Sequence, residues 1–352
     1  MAECIKCGLC NICPVFRVEK IESVSPRGKI SIFNKNVKID ARMVKDFFKC
    51  SICGLCEIIC PVNLRLTEFW EKKREELVER KFAPLPIHKK LRDMTLRDYN
   101  PYGGNPEKRA EWLDFKVKKS KILYFAGCTA SYKLQNIAKA SANALRKLGV
   151  EFTILGSSEF CCGSLFLRTG QRDVGRYLFK KNIHVWEKAG IEEIITSCPG
   201  CYKTISKDYP IFARELGYEF NFEVKHISSV FAELVEGKLD LIATYHDPCH
   251  LGRHMGIYEE PRKVIRKVGI KLIEMERNRE FSLCCGAGGG LRSQFKDISI
   301  AICEERIREI LSTGTNVVIT SCPFCEYNFS RTGGGRIKVL DLSEIVEKSL
   351  FP

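Results

Sequence analysis

Ile194-Ile195-Thr196 leads into Cys198-Pro199-Gly200-Cys201, and 124 residues further on Val317-Val318-Ile319-Thr320 leads into Cys322-Pro323-Phe324-Cys325. Each is a short apolar run of strand type followed by Cys-Pro-x-Cys. Both thiols of each pair then lie where a strand ends and a helix begins, a place that lowers thiolate pKa. Upstream, each copy holds a vicinal pair and a glycine, Cys161-Cys162-Gly163 and Cys284-Cys285-Gly286, and before that a single cysteine, Cys128 and Cys249. The four matching positions are offset by 121, 123, 124 and 124 residues, a drift that small loop insertions explain. The chain therefore contains an internal duplication. Adjacent cysteines on an extended backbone point to opposite sides, so a vicinal pair serves one centre only from a turn, which the glycine permits.

The flanking pattern is that of an α/β protein with largely parallel pairing. Strands are expected at 121–127, 151–155 and 193–196 in the first copy and at 239–245, 270–275 and 317–320 in the second. Helices are expected at 132–148 and 259–267. Ahead of the duplication, 67–81 reads as a helix, and 84–119, rich in Pro, Gly and Asn, reads as a linker.

The first eighty residues carry a second kind of cysteine run. Cys50-x2-Cys53-x2-Cys56-x3-Cys60-Pro61 matches the bacterial ferredoxin spacing, in which three cysteines wrap one cubane and the fourth turns towards another. Cys4-x2-Cys7-x2-Cys10-x2-Cys13-Pro14 is its partner, one residue short before the last cysteine. The reciprocal assignment puts Cys4, Cys7, Cys10 and Cys60 on one [4Fe–4S] cubane and Cys13, Cys50, Cys53 and Cys56 on the other. Paired zinc sites are the weaker alternative.

His246-Asp247-Pro248-Cys249-His250-Leu251-Gly252-Arg253-His254 holds three of the six histidines. His246 or His250 could donate a proton to a thiolate, or hydrogen-bond cluster sulfur and raise its potential; equally, they could cap a helix and satisfy loop carbonyls. Zinc held by His250 and His254 is a minor alternative. The run Cys285-Gly286-Ala287-Gly288-Gly289-Gly290 fits neither a dinucleotide fingerprint nor a Walker loop, and reads as close backbone approach to a cluster or substrate. If the two sites differ in access, it makes the second the more open. Ile300, Cys303, Ile307 and Ile310 share a helical face, so Cys303 is expected in the core rather than on a metal.

The C…CCG…CPxC duplication resembles the CCG-domain family, which includes heterodisulfide reductase catalytic subunits and the iron–sulfur subunits of anaerobic glycerol-3-phosphate, glycolate and lactate dehydrogenases. With the ferredoxin runs in front, the order is most similar to the D-type heterodisulfide reductase subunit. The resemblance implies duplicated α/β CCG domains with mostly parallel sheets behind an N-terminal α-helical ferredoxin-like domain. The division expected is a two-cluster domain at 1–83, a linker at 84–119, and CCG domains at 120–238 and 239–352. It further implies two non-cubane [4Fe–4S] clusters, one on Cys128, Cys161, Cys162, Cys198 and Cys201, the other on Cys249, Cys284, Cys285, Cys322 and Cys325, facing a shared disulfide site. Zinc in one of them stays open, as does a thioredoxin-like Cys-Pro-x-Cys pair.

Two functions follow. In the first, electrons enter at the cubanes one at a time and pass to the five-cysteine sites, where two adjacent clusters each supply one electron to a disulfide and an iron captures each sulfur. Cys249, Cys284, Cys285, His246 and His250 are then the catalytic candidates. In the second, the chain is a non-catalytic electron-transfer subunit between a flavoprotein dehydrogenase and a quinone-like carrier. It has no flavin or nucleotide fingerprint of its own, so a flavoprotein or membrane cytochrome-type partner is implied either way.

Composition agrees. With 352 residues, 45% of them hydrophobic, the chain is neither disordered nor a small disulfide scaffold. Nineteen cysteines beginning at position 4, with no leader-like segment and no run near the ~18 apolar residues of a membrane span, point to a reducing, cytoplasmic setting. Contact with the inner face of a membrane would come through a partner. The net charge of +14 is scattered rather than interleaved with aromatics, which argues against nucleic acid. Four clusters of about −2 to −3 each would offset roughly ten of those charges.

Overall fold

The computed structural model describes residues 3–34 and 38–350. The first copy forms a parallel sheet in the order β1 (Ile122–Tyr124), β2 (Glu193–Thr196), β3 (Glu223–His226). The second comprises β4 (Ile242–His246), β5 (Lys271–Leu272), β6 (Val317–Thr320) and β7 (Lys338–Asp341), in the order β5-β4-β6-β7, again all parallel. Helices cover both faces, so the central strands are continuous apolar runs rather than alternating ones. Leu123 lies opposite Ile194 and Thr244 opposite Val318, which makes β1 equivalent to β4 and β2 to β6. Tyr124 and Tyr245 repeat even the hydroxyl contact, each 3.2 Å from a serine, Ser197 and Ser321.

The copies share one core. Helix Gln135–Lys147 of the first packs on Leu342–Leu350 of the second, and Ile227–Leu234 of the first on Glu259–Lys267 of the second. This is the reciprocal contact of a two-fold dimer made within one chain. Phe231, Tyr245, Val264 and Ile345 are fully enclosed there. Ahead of the duplication, the cysteine runs are surrounded by the helices Pro14–Glu19, Pro26–Asn34, Ala41–Phe48 and Leu66–Glu79, the α-helical ferredoxin-type domain expected.

Three local expectations are corrected. The strand at 151–155 reduces to one bridge, Leu123 to Thr153, because the chain turns away at Gly156–Ser158. The helix expected at 132–148 runs Gln135–Lys147, because Lys133 and Leu134 leave helical geometry, and a separate short helix, Gly127–Tyr132, precedes it. The stretch 84–119 is not a loose linker. It contains the helix Pro86–Asp98, and it reaches into both copies: His88 Nε2 lies 3.0 Å from the Gly290 carbonyl, and Arg109 is buried against Glu159.

Arg74 ties the three parts together. It is fully buried in Leu66–Glu79, and its guanidinium donates to the carbonyls of Phe48, Cys50, Arg168 and Gly289 at 2.7–3.0 Å. The glycine run is explained by the same junction. A Cβ at Gly288 or Gly289 would lie under 3 Å from the backbone of Cys50 or Ser51, and one at Gly290 2.6 Å from His88 Nε2. The glycines admit the ferredoxin-type loop and His88, and Gly288, Gly289 and Gly290 also line a cavity between the copies.

Candidate functional site

All nineteen cysteines are free thiols, and eighteen gather into four groups. In the ferredoxin runs the two loops take the same shape. The second and fourth residues after the first cysteine are left-handed in both, Lys6 and Gly8 in one, Ile52 and Gly54 in the other. A β-branched residue such as Ile52 at positive φ is strained, which marks a conformation held for a purpose. Cys13, Cys50, Cys53 and Cys56 surround one small void with Trp70 and the buried Lys29. Burial, then the charges of Cys50 and Cys53, pushes the Cys13 thiol up to about 12. Cys4, Cys10 and Cys60 pack together at the edge of the domain's apolar cluster, with Cys7 exposed.

The two five-cysteine groups are also alike. Gly163 and Gly286 both have φ +85, and each aims its N–H at the cysteine two residues before it, Cys161 at 3.4 Å and Cys284 at 3.3 Å. The turn required of a vicinal pair is thus made by the glycine in each copy. Cys285 Sγ donates to Cys325 Sγ at 3.2 Å, with no disulfide between them. Hydrogen bonds from Cys284 and Cys325 hold the Cys285 thiol low, and those from Cys161 and Cys201 do the same for Cys162. Crowded, buried, unbonded thiols with backbone N–H groups turned on sulfur fit a metal–sulfur cluster better than they fit free side chains.

Nine of these ten cysteines line a single cavity of about 240 Å³ between the copies, so neither site is the more open; the expectation of a more accessible second site is overturned. The half-buried member is Cys198, in the first copy. Arg168, His250 and Arg292 also line the cavity, and among the described residues no carboxylate does; Arg168 is paired with Glu71 and Asp208, whereas Arg292 Nη1 is buried without a partner. Cys284, the tenth, does not line it and lies between Cys249 and Cys53. Its thiol hydrogen-bonds that of Cys53, so a ferredoxin-run cysteine touches the second five-cysteine group.

Buried cations stand beside the sulfur. Arg109 Nη2 is 3.6 Å from Cys128 Sγ while two of its nitrogens hold Glu159. Arg253 donates to the Cys53 carbonyl at 2.6 Å and to those of Glu280 and Ser282. The thiolates of Cys53, Cys249 and Cys284 raise its pKa against the burial that lowers it. His250 Nδ1 lies 3.3 Å from Cys249 Sγ with its ring stacked on His254 at 4.3 Å. Burial, then Arg168 and Arg253, lowers the His250 pKa to about 3, so the ring is neutral. His246 is fully buried, with one ring nitrogen within 4.8 Å of the Cys285 and Cys325 sulfurs. Cys303 lies in the core with Met275, Ile307 and Ile310, away from the cavity.

Sequence reading missed Lys29, Arg74, Arg109, Arg253 and Arg306. A sequence signal existed for two. Arg253 stands inside the histidine cluster, and Arg306 is a charge on the face that carries Cys303, Ile307 and Ile310.

Comparison with known proteins agrees with this arrangement. A family described as a cysteine-rich (CCG) domain matches residues 122–206 and 243–330, and one described as a 4Fe-4S dicluster domain matches 1–64. The D-type subunit of dihydromethanophenazine:CoB–CoM heterodisulfide reductase from Methanosarcina acetivorans is 39% identical over 80% of this chain and 72% of its own length. EtfAB:quinone oxidoreductase of Syntrophomonas wolfei is 31% identical over 86% of this chain and 46% of its own. The crystal structure of a hypothetical protein from Helicobacter pylori shares the fold, with a TM-score of 0.64 over 95% of this chain and 69% of that one at 12% identity. No helix among the described residues is long and apolar enough to cross a membrane. The chain belongs to the family of D-type heterodisulfide reductase subunits, which are iron–sulfur oxidoreductases.

Proposed function

We propose that this chain is the catalytic subunit of a disulfide reductase, and the observation that carries the reading is the single cavity shared by both five-cysteine groups. Clusters held by the two groups would face one another across it, as the two-electron reduction of one disulfide requires. Cys4, Cys7, Cys10 and Cys60 hold one cubane, and Cys13, Cys50, Cys53 and Cys56 the other. Cys128, Cys161, Cys162, Cys198 and Cys201 hold one non-cubane cluster, and Cys249, Cys284, Cys285, Cys322 and Cys325 its counterpart. When bound, these clusters supply single electrons and an iron on which a substrate sulfur can rest.

The residues around them do the rest. Exposed Cys7 marks the edge where a redox partner docks, and the Cys53–Cys284 contact joins the ferredoxin-type domain to the second CCG site. Arg109 and Arg253 offset thiolate charge in a low-dielectric interior. Arg292, with Nη1 unpartnered, lines the cavity, which suits a disulfide bearing an anionic group; Arg168 is already paired with Glu71 and Asp208. His250, neutral and against Cys249, orients that ligand by hydrogen bonding.

The similarity to EtfAB:quinone oxidoreductase supports a second reading, an electron-transfer subunit serving a flavoprotein. The test is anaerobically purified, oxidised protein titrated with small thiols under electron paramagnetic resonance, with disulfide-dependent oxidation of a reduced viologen beside it. The reductase reading expects a new signal with one particular thiol, and dye oxidation by the matching disulfide. A silent response from protein carrying about sixteen irons would replace it with the second reading.

A further inference from the structure

The two five-cysteine sites occupy equivalent positions in unequal surroundings. The matched registers of β1 and β4 make Phe125 the counterpart of His246. Helices Arg172–Ala189 and Lys296–Leu311 bury corresponding residues, Leu178 with Ile302, Ile183 with Ile307 and Trp186 with Ile310. The close packing of Gly163 on Gly175 and of Gly286 on Ser299 fixes the same alignment. On it, Asn182 is the counterpart of Arg306.

In the first copy Phe125 is enclosed with Cys162 and Cys201, its ring edge-on to Trp186 at 6.1 Å. Asn182 looks elsewhere, donating to the Cys161 carbonyl at 3.1 Å and to the Tyr209 hydroxyl at 2.9 Å. No side-chain donor to sulfur comes from either position. In the second copy Arg306 Nε donates to His246 Nδ1 at 3.2 Å. A guanidinium N–H cannot accept, so Nδ1 is the acceptor and the ring proton sits on Nε2. Nε2 is buried and has no partner, while the ring lies beside the Cys285 and Cys325 sulfurs. Phe329 meets the ring edge-on at 4.8 Å and holds its plane. Arg306 is itself fixed, by the Arg277 carbonyl, by Ser282 Oγ and by Glu309 at 2.6 Å. Glu309 balances its charge, so what this pair of positions adds to the second site is an N–H.

We propose that Arg306 is a positioning residue that fixes His246 with its Nε2–H turned to the Cys285/Cys325 sulfurs, and that this sets the reduction potential of the second CCG site above that of the first. A donor to sulfur stabilises the more negative, reduced state of a cluster, and Phe125 provides none. The inference rests on both motifs holding clusters. It orders them: the site that touches Cys53 is also the one reduced first.

The test is a potentiometric titration of the anaerobically purified protein followed by electron paramagnetic resonance. His246→Phe, which installs the first copy's residue, should lower one CCG midpoint by a tenfold or greater change in its one-electron equilibrium, about 59 mV or more. The other CCG site and both cubanes should stay in place. His246→Gln keeps an N–H near the Nε2 position and should recover most of the loss. Arg306→Met touches no cysteine and should move the same midpoint the same way. Should His246→Phe lose iron, Arg306→Met decides, and an unchanged midpoint there overturns the proposal. Equal shifts at both CCG sites overturn it too. Iron sufficient for the cubanes alone, about eight per chain, would remove the cluster reading together with this one; full iron with unmoved midpoints would remove this one only.

Discussion

The two copies keep their sulfur and change what surrounds it. The strand ends, the glycine at φ +85 after the vicinal pair, and the Cys-Pro-x-Cys helix start are the same in both. The neighbours are not. Where the first copy has Phe125, Gly127, Phe179 and Asn182, the second has His246, Pro248, Cys303 and Arg306. The buried cation differs in origin as well: Arg109 comes to the first site from upstream of the duplication, Arg253 to the second from the short helix Gly252–Met255 just after Cys249. Ligand geometry is therefore a property of the repeated backbone, while charge and hydrogen bonding were free to diverge.

The strongest way to break this comparison is to remove one ligand from each copy. Cys162→Ser and Cys285→Ser should each lower the iron content by about four per chain and leave the cubanes reducible. If both sites act on one disulfide across the shared cavity, each variant should also lose more than ~100-fold in disulfide turnover, beyond what outer neighbours of a metal contribute. Activity surviving in one variant would mean that a single copy carries the chemistry. Iron analysis with a viologen-linked assay separates the two.

What the sequence revealed follows the same division. β2 and β6 coincide with the apolar runs read before the Cys-Pro-x-Cys pairs, and helix Glu259–Lys267 with the expected 259–267. β3 and β7 escaped because Glu223-Val224-Lys225-His226 and Lys338-Val339-Leu340-Asp341 are partly exposed edge strands with mixed polarity. Arg74 could not be found locally: two of its partners, Arg168 and Gly289, lie 94 and 215 residues away and are carbonyls, which any residue provides. The glycine run was legible as close approach, but what approaches is the ferredoxin-type loop and His88, and that is a tertiary fact.

A subtler change sharpens the comparison at the first cysteine. Gly127, with φ +74, precedes Cys128, whereas Pro248 precedes Cys249. An added Cβ at Gly127 would lie 3.0 Å from Cys201 Sγ. Gly127→Ala should cost roughly 1–2 kcal/mol in left-handed backbone strain and push that sulfur aside. The expected result is loss or spectral change of the first-copy cluster with the second-copy signal intact. A change in both signals would mean that the copies are mechanically coupled through the cavity.

The smallest effect belongs to the nineteenth cysteine. Cys303 is fully buried and corresponds to Phe179, so the two copies fill one core position with side chains of different size. Burial, then the charge of Cys285, raises its thiol pKa. Cys303→Ala deletes one sulfur atom from a close-packed cluster and should cost about 1 kcal/mol of stability. Iron content, midpoints and turnover should not move. Cys303→Ser should cost no more than that, because the buried Thr332 hydroxyl beside the Cys303 thiol is free to pair with the serine hydroxyl. If either variant shifted the second-copy midpoint, Cys303 would belong to the environment of that cluster, and the count of eighteen working cysteines would have to be revised.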